Sequence, residues 1–456
     1  MPDSSTKNAV PEAQLTLFRC ICIIVGVIVG SGIFESPPDI AAVLKDWRGL
    51  SPEAWFFLVW ILGGAISFLG ALCYAELATT YPREGGDYVY LNRAFGGWAG
   101  FLFGWARLTL IQAGSIGAIA YVFGDYATRL YPLGAYSATI YAVAGTIVFT
   151  VLNVLGVREG TLAQNILTTV KILGLCLVFL VGFLVNPAPS SVPEFKEPGF
   201  TSIAVALIIV LWTYGGWNEI AYIAAEVKDS RRNIVRSLMI GLAVVTVVYL
   251  LVNAAFVRSL GFMGVSGSKA VAADVVKVTF GETGAKLISV LVVISALGAL
   301  NGFIITSARV YYAMGLEHRI FAPLGRWSTR FGTPAAALWV QGLIILILLV
   351  VFGSSGGFKT MVFLTAMPFW GFLVLTTLAL MVLRVKDPDI QRPYRVPLFP
   401  VIPILFAIAC GWMVYRSVIF KPFLAQVGGV ILAVGLVLYV VSVAVGTGEA
   451  HAPEKR

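Results

Sequence analysis

Several stretches of this chain run for more than twenty residues without a single charge, among them 54–75, 237–257, 287–308, 335–358, 360–383 and 422–447. A run of about 20 apolar residues is the length of helix that crosses a bilayer. Few soluble folds use so many of them. Adding runs broken by one charge or by glycine gives about twelve helices, near 15–43, 53–81, 96–127, 135–156, 161–185, 200–227, 236–258, 283–314, 335–353, 359–383, 398–417 and 423–446. The expected fold class is an all-α membrane protein.

Composition closes the alternatives. Hydrophobic residues make up 59% of the 456 and charged residues only 12%, about half the charged share of a soluble domain. Too little charge exists to cover a soluble surface, which excludes a cytosolic enzyme, a nucleic-acid binder and a disordered scaffold. The two histidines, His318 and His451, make a histidine-based catalytic or metal site a poor expectation. The five cysteines (Cys20, Cys22, Cys73, Cys176 and Cys410) show neither a disulfide framework nor a zinc spacing. The first 14 residues are polar, so no cleaved leader is expected.

Twelve spans put both termini on one side, and basic residues choose the side. With the termini inside, the inner loops hold Lys228, Arg231, Arg232, Arg236, Arg319, Arg326, Arg330, Arg384, Lys386, Arg392 and Arg395. The outer loops are more thinly basic. Both termini are therefore expected in the cytoplasm, in a plasma (inner) membrane, and the net charge of +9 reads as an orientation signal.

Two spans are interrupted. The first reads CICIIVGVIVGSGIFESPPDI, with Gly30-Ser31-Gly32 in its middle and Pro37-Pro38 after it. An unwound turn there frees the N–H groups of Ser31, Gly32 and Ile33 at the positive end of the outer half-helix, where a carboxylate binds well. A packing reading stands beside it, because Gly26 and Gly30 form a GxxxG pair. The sixth span reads IAVALIIVLWTYGGWNEIAYIAAE, with Gly215-Gly216 at mid-span. A break there frees carbonyls at a negative helix end, which suit an ammonium group. Together the breaks match the two charges on an α-amino acid. Interrupted spans in matching positions of two halves point to a transporter's binding site. The spans then form two five-helix blocks of opposite orientation. The expected organisation is a cytoplasmic tail over 1–14, a first block over 15–185, a second over 200–383, two further helices over 398–446 and a tail over 447–456.

Ionisable residues at depth are functional candidates by default. Lys171, in TTVKILGLCLVFL, has two readings: it snorkels from the inner end of span 5, or it is an internal cation bridging the first and eighth helices in place of sodium. Arg107 sits near an interface or pairs with a carboxylate. Glu219 faces substrate, pairs structurally or reaches water. Glu76 is read as an inner-surface residue.

Four segments carry a family resemblance: GSGIF at 30–34, GALCYAELATTYPREGGDYVYLNRAFG at 70–96, LWTYGGWNEIAYIAAEVKDSRRN at 211–233 and LRVKDPDIQRPYRVP at 383–397. They resemble the amino acid–polyamine–organocation superfamily, and within it the L-type amino acid transporters, over about residues 15–400. The resemblance implies a five-plus-five inverted repeat with discontinuous helices 1 and 6, two extra C-terminal helices and alternating access. It implies that the N–H groups of Ser31 and Gly32 hold the substrate carboxylate. The carbonyls of Ile28, Trp212 and Gly215 hold the amino group. Trp212 takes the position of an outer aromatic gate. Asn218 links the site to neighbouring helices, and Trp370 stands near the substrate side chain. Lys171 matches the lysine of sodium-independent members. Where some relatives offer that lysine a serine on helix 8, this chain has Ala299, leaving Ser295 and Asn301 as substitutes. The loop around 126–135 lacks the cysteine of heavy-chain-linked animal members, so no disulfide-linked heavy chain is expected.

The resulting expectation is a sodium-independent exchanger of neutral L-amino acids. Its partners are a small-molecule amino acid and the lipid bilayer, with no nucleic acid, cofactor or metal, and it is not an enzyme. A proton-coupled or cationic amino acid transporter and a non-transporting sensor are the alternatives. A sodium symporter wants hydroxyls and carbonyls where Lys171 stands, and a channel wants a repeated filter or charge ring.

Overall fold

A computed structural model describes residues 15–30, 32–44, 51–82, 85–156, 174–184, 201–352 and 356–445. In hydrocarbon every backbone polar group must be satisfied within the protein, so the apolar runs become helices. The first span is α1 (Leu17–Ile28) and α2 (Gly32–Leu44), bent by 47°. The second is α3 (Pro52–Thr80), capped by Ser51, which accepts from the Ala54 amide at 3.2 Å, with Pro52 opening the helix. A short helix, α4 (Asp87–Phe95), precedes the third span. That span joins α5 (Gly97–Ala106) to α6 (Gln112–Leu130) through a π-helical turn at Arg107–Ile111. The fourth is α7 (Ser137–Val154), and α8 (Gly174–Leu184) is a shorter apolar helix in the fifth position.

The sixth span is α9 (Thr201–Thr213), a break, and a 3-10 helix at Trp217–Glu226. Six long helices follow: α10 (Ser230–Gly267), α11 (Val271–Glu317), α12 (Ala335–Phe352), α13 (Gly357–Lys386), α14 (Val401–Phe420) and α15 (Pro422–Val445). Ten helices among the described residues are long and apolar enough to cross a membrane, and the bent first pair makes an eleventh span. With α8, each of the twelve expected positions holds a helix. The protein is a multi-pass integral membrane protein.

The two broken spans lie at the centre. The first packs on the seventh through α1 and α10, while α2 packs on α9. The sixth in turn packs on the second through α9 and α3, where a Cβ at Gly63 would collide with the Val210 side chain. The third span leans on the eighth and tenth. The eleventh and twelfth sit outside, with Val430, Val437 and Val440 more than 60% exposed, as side chains facing lipid would be. Trp105 ties the twelfth inward by donating from Nε1 to the Ile431 carbonyl at 2.7 Å.

Two details explain sequence features. Pro38 cannot donate to the Phe34 carbonyl one turn back, and the Tyr126 hydroxyl donates to it at 3.0 Å instead. Glu76 is not a surface residue: its side chain is 1% exposed. Arg384 donates to it from Nε at 2.7 Å, the Val396 amide donates at 2.7 Å, and Arg392 lies 3.6 Å away. A carboxylate so placed needs charged partners, which the segment 383–397 supplies. Two of the motifs are thus halves of one buried cluster. It lies at the terminal face, where α1 begins and α3, α13 and α15 end.

Candidate functional site

The first break is Val29 and Gly30 before the restart at Gly32, and the second is Tyr214–Gly216. Gly216 has φ +104°, a left-handed conformation open to glycine at no steric cost. The breaks touch. A Cβ on Gly216 would lie 2.6 Å from Val27 Cγ1, and one on Gly32 would lie 3.1 Å from the Trp212 ring and 3.2 Å from Thr213 Cγ2. Ser36 and Thr213 share a hydroxyl hydrogen bond of 2.6 Å. The Tyr249 hydroxyl reaches both half-helix ends, 2.7 Å from the Ile28 carbonyl and 3.0 Å from that of Thr213.

A cavity of about 720 Å³ surrounds this crossing. Ile28, Gly32, Trp212, Gly215, Asn218 and Ser295 line it. Ile33 is fully buried in the core, outside the lining. Trp370 faces a separate pocket of about 10 Å³ beside Trp217, and Phe369 takes its place on the cavity wall. Asn301 is engaged elsewhere, accepting from Asn153 Nδ2 at 2.7 Å, whereas the buried Ser295 hydroxyl has no partner among the described residues. Ser31 and Lys171 lie outside the described residues. The Ile28 carbonyl already accepts from Tyr249 and from the Gly30 amide, at 2.7 Å each, and that of Trp212 accepts from the Gly215 amide at 2.9 Å.

The cavity extends toward the terminal face. There its wall includes Cys22 of α1 and Thr306 of α11, both exposed. At the opposite end Trp212 packs edge-on against Phe358 with ring centres 5.1 Å apart, and Lys359 pairs with Asp39 at 3.3 Å. These contacts join α2, α9 and α13 above the breaks. Among the described residues, the exposed part of the cavity wall lies toward the terminal face, and the other end is crossed by these contacts.

Charged groups line one wall. The π-helical turn inserts an extra residue into the third span, a distortion often found at functional sites. Arg107 begins this turn and donates from Nη2 to both Glu219 oxygens, at 3.1 and 3.4 Å. Its guanidinium also lies 4.6 Å from the Tyr222 ring centre. The Tyr222 hydroxyl donates to Asp87 at 2.8 Å, Thr376 donates to Asp87 at 2.7 Å, and Tyr74 donates as well. Asp87, Tyr222, Tyr249 and Gln112 are site residues that hydropathy cannot pick out. The nearest signal for Asp87 is its place after Gly85-Gly86 in the 70–96 motif.

Sequence comparison bears on this geometry. The amino acid permease family profile matches residues 15–445. The chain belongs to the amino acid permease family. Mouse b(0,+)-type amino acid transporter 1 is 32% identical over 430 residues, covering 91% of this chain and 85% of that protein. The human protein of that name is 31% identical over 430 residues. Mouse large neutral amino acids transporter small subunit 2 is 32% identical over 453 residues, covering 95% of this chain and 81% of that protein. This permease is a transporter of the amino acid–polyamine–organocation superfamily and not an enzyme. Its cavity lies at the crossing of two interrupted helices.

Proposed function

We propose that this permease is a sodium-independent exchanger of neutral L-amino acids that works by alternating access. The observation that carries the reading is the crossing of the two breaks at one cavity. One break restarts a helix at Gly32 and the other ends one at Thr213, so helix ends of opposite polarity meet there. That arrangement suits the carboxylate and ammonium of an α-amino acid. Gly32 and Ser31 supply the amide side. Trp212 and Gly215 supply the carbonyl side, because the Ile28 carbonyl already accepts two protein donors.

Sodium independence rests on Lys171, which stands in the fifth span where a sodium site would need oxygen ligands. Ser295 supports its proposed partnership, since its hydroxyl is buried and unpartnered among the described residues. Neutral substrates follow from Arg107, which offsets Glu219. Alternating access uses two inverted blocks, 15–185 and 200–383, in a plasma membrane with both termini cytoplasmic. No disulfide-linked ancillary chain is needed, as the 126–135 loop has no cysteine.

Purified protein in liposomes tests the reading. Labelled neutral amino acid should enter without sodium and enter faster when unlabelled amino acid is inside. No uptake under any gradient overturns carriage. A sodium requirement overturns the role of Lys171, and indifference to internal substrate overturns exchange.

A further inference from the structure

The amino and carboxylate groups are common to all amino acids, so selection falls to the wall that meets the side chain. The Glu219 amide donates to the Gly216 carbonyl at 3.1 Å, which puts Glu219 one 3-10 turn past the break. At about 2 Å per residue that is roughly 6 Å along the axis, the reach of a medium-length side chain. Glu219 and Arg107 both line the cavity. Their side chains are 32% and 9% exposed, so the carboxylate is the more open member. Arg107 keeps a buried Nε with no partner among the described residues.

Two side-chain amides flank the pair. Gln112 and Asn218 are buried to 5% and 7% exposure and line the same cavity. Neither amide has a protein hydrogen bond among the described residues. Their polar atoms face the cavity, where water or cargo pairs with them. Asp87 lines the cavity too, where Tyr74, Tyr222 and Thr376 donate to it, so the neutral part of the wall is the Arg107–Glu219 pair with Gln112 and Asn218 beside it.

We propose that Arg107 and Glu219 form a charge-balanced side-chain subsite which, with Gln112 and Asn218, selects neutral amino acids bearing an amide or hydroxyl and rejects charged ones. This rests on the reading of the cavity as the amino acid site. A cationic side chain approaching Glu219 meets Arg107 behind it, and an anionic one drawn to Arg107 meets Glu219 first. Removing either partner leaves the other uncompensated, and it then becomes a counter-ion for cargo. The two single variants must therefore shift specificity in opposite directions, which loss of a merely structural ion pair does not do.

The experiment is competition against labelled glutamine uptake in proteoliposomes, backed by ligand-induced thermal shift in detergent. In the wild type, unlabelled glutamine should compete at least about tenfold better than norleucine, which has similar length but no amide. The reverse order overturns the proposal whatever the variants do. Arg107→Met should raise competition by lysine about tenfold or more, and Glu219→Gln should do the same for glutamate. The double variant should lose both gains. Folded single variants with the wild-type charge profile, by uptake or thermal shift, overturn it. A wild type that carries no amino acid fails the proposed function instead, so the two failures are distinct.

Discussion

The hydroxyl of Tyr249 lies 2.7 Å from the carbonyl oxygen of Ile28, the last residue of the first half of the first span. It also lies 3.0 Å from the Thr213 carbonyl, at the matching end in the sixth span. One phenol on the seventh span thus serves both breaks. Tyr249→Phe keeps the ring contacts with Trp60 and Tyr214 and removes only this donor. The Ile28 carbonyl keeps the Gly30 amide as a donor, so the loss falls on the Thr213 carbonyl, and a buried carbonyl left without its donor costs about 1–3 kcal/mol. Thermal unfolding in detergent should occur several degrees lower, and the apparent KM for uptake should rise. An unchanged melting temperature with unchanged uptake would refute a role for Tyr249 in holding the breaks.

Gly216→Ala places a methyl 2.6 Å from Val27 Cγ1 at a backbone φ of +104°. The conformation alone costs about 1–2 kcal/mol for a residue with a Cβ, and the overlap adds to it. Uptake should fall more than about tenfold. Adding Val27→Ala should restore part of it by clearing the overlap while leaving the backbone strain. Full recovery would show that φ at Gly216 does not matter.

Cys22 is exposed and lines the cavity, whereas Cys20, two residues earlier, is fully buried. A hydrophilic thiol reagent should label Cys22 from the terminal face and leave Cys20 unmodified. Saturating substrate should slow the labelling. Mass spectrometry of digested protein reads the two sites separately, and equal modification of both would contradict the described conformation.

Outside the membrane-spanning helices, Arg93 donates to Asp387 at 2.6 and 3.1 Å, and Tyr81 donates to it at 2.8 Å. The Arg93 guanidinium holds the Asp387 carboxyl below its ordinary value of 3.8. Unfolded Asp387 binds protons more readily than folded Asp387, so its stabilising contribution is present above that value and is lost as pH falls below it. Arg93 is 43% exposed, which screens the pair and keeps the effect small. Melting curves of the wild type and Asp387→Asn should converge as pH drops below about 4. A constant difference across that range would count against the ion pair.

The sequence alone determined the membrane class, the helix count and the positions of both breaks. Each is a local property: an uncharged run of bilayer length has few outlets besides a helix, and Gly30 or Gly215-Gly216 weakens that helix wherever it packs. Side-chain partnerships are not local. Glu76 reads as an inner-surface residue until the 383–397 segment folds back on it, and Trp370 reads as a cavity residue until its helix face is known. Arg107 and Glu219 are 112 positions apart, and no periodicity connects them. Only tertiary packing turned the third and sixth spans toward each other and made two isolated charges into one ion pair. The same packing brought Tyr249 to both breaks, because a hydroxyl chooses its acceptors by distance in space.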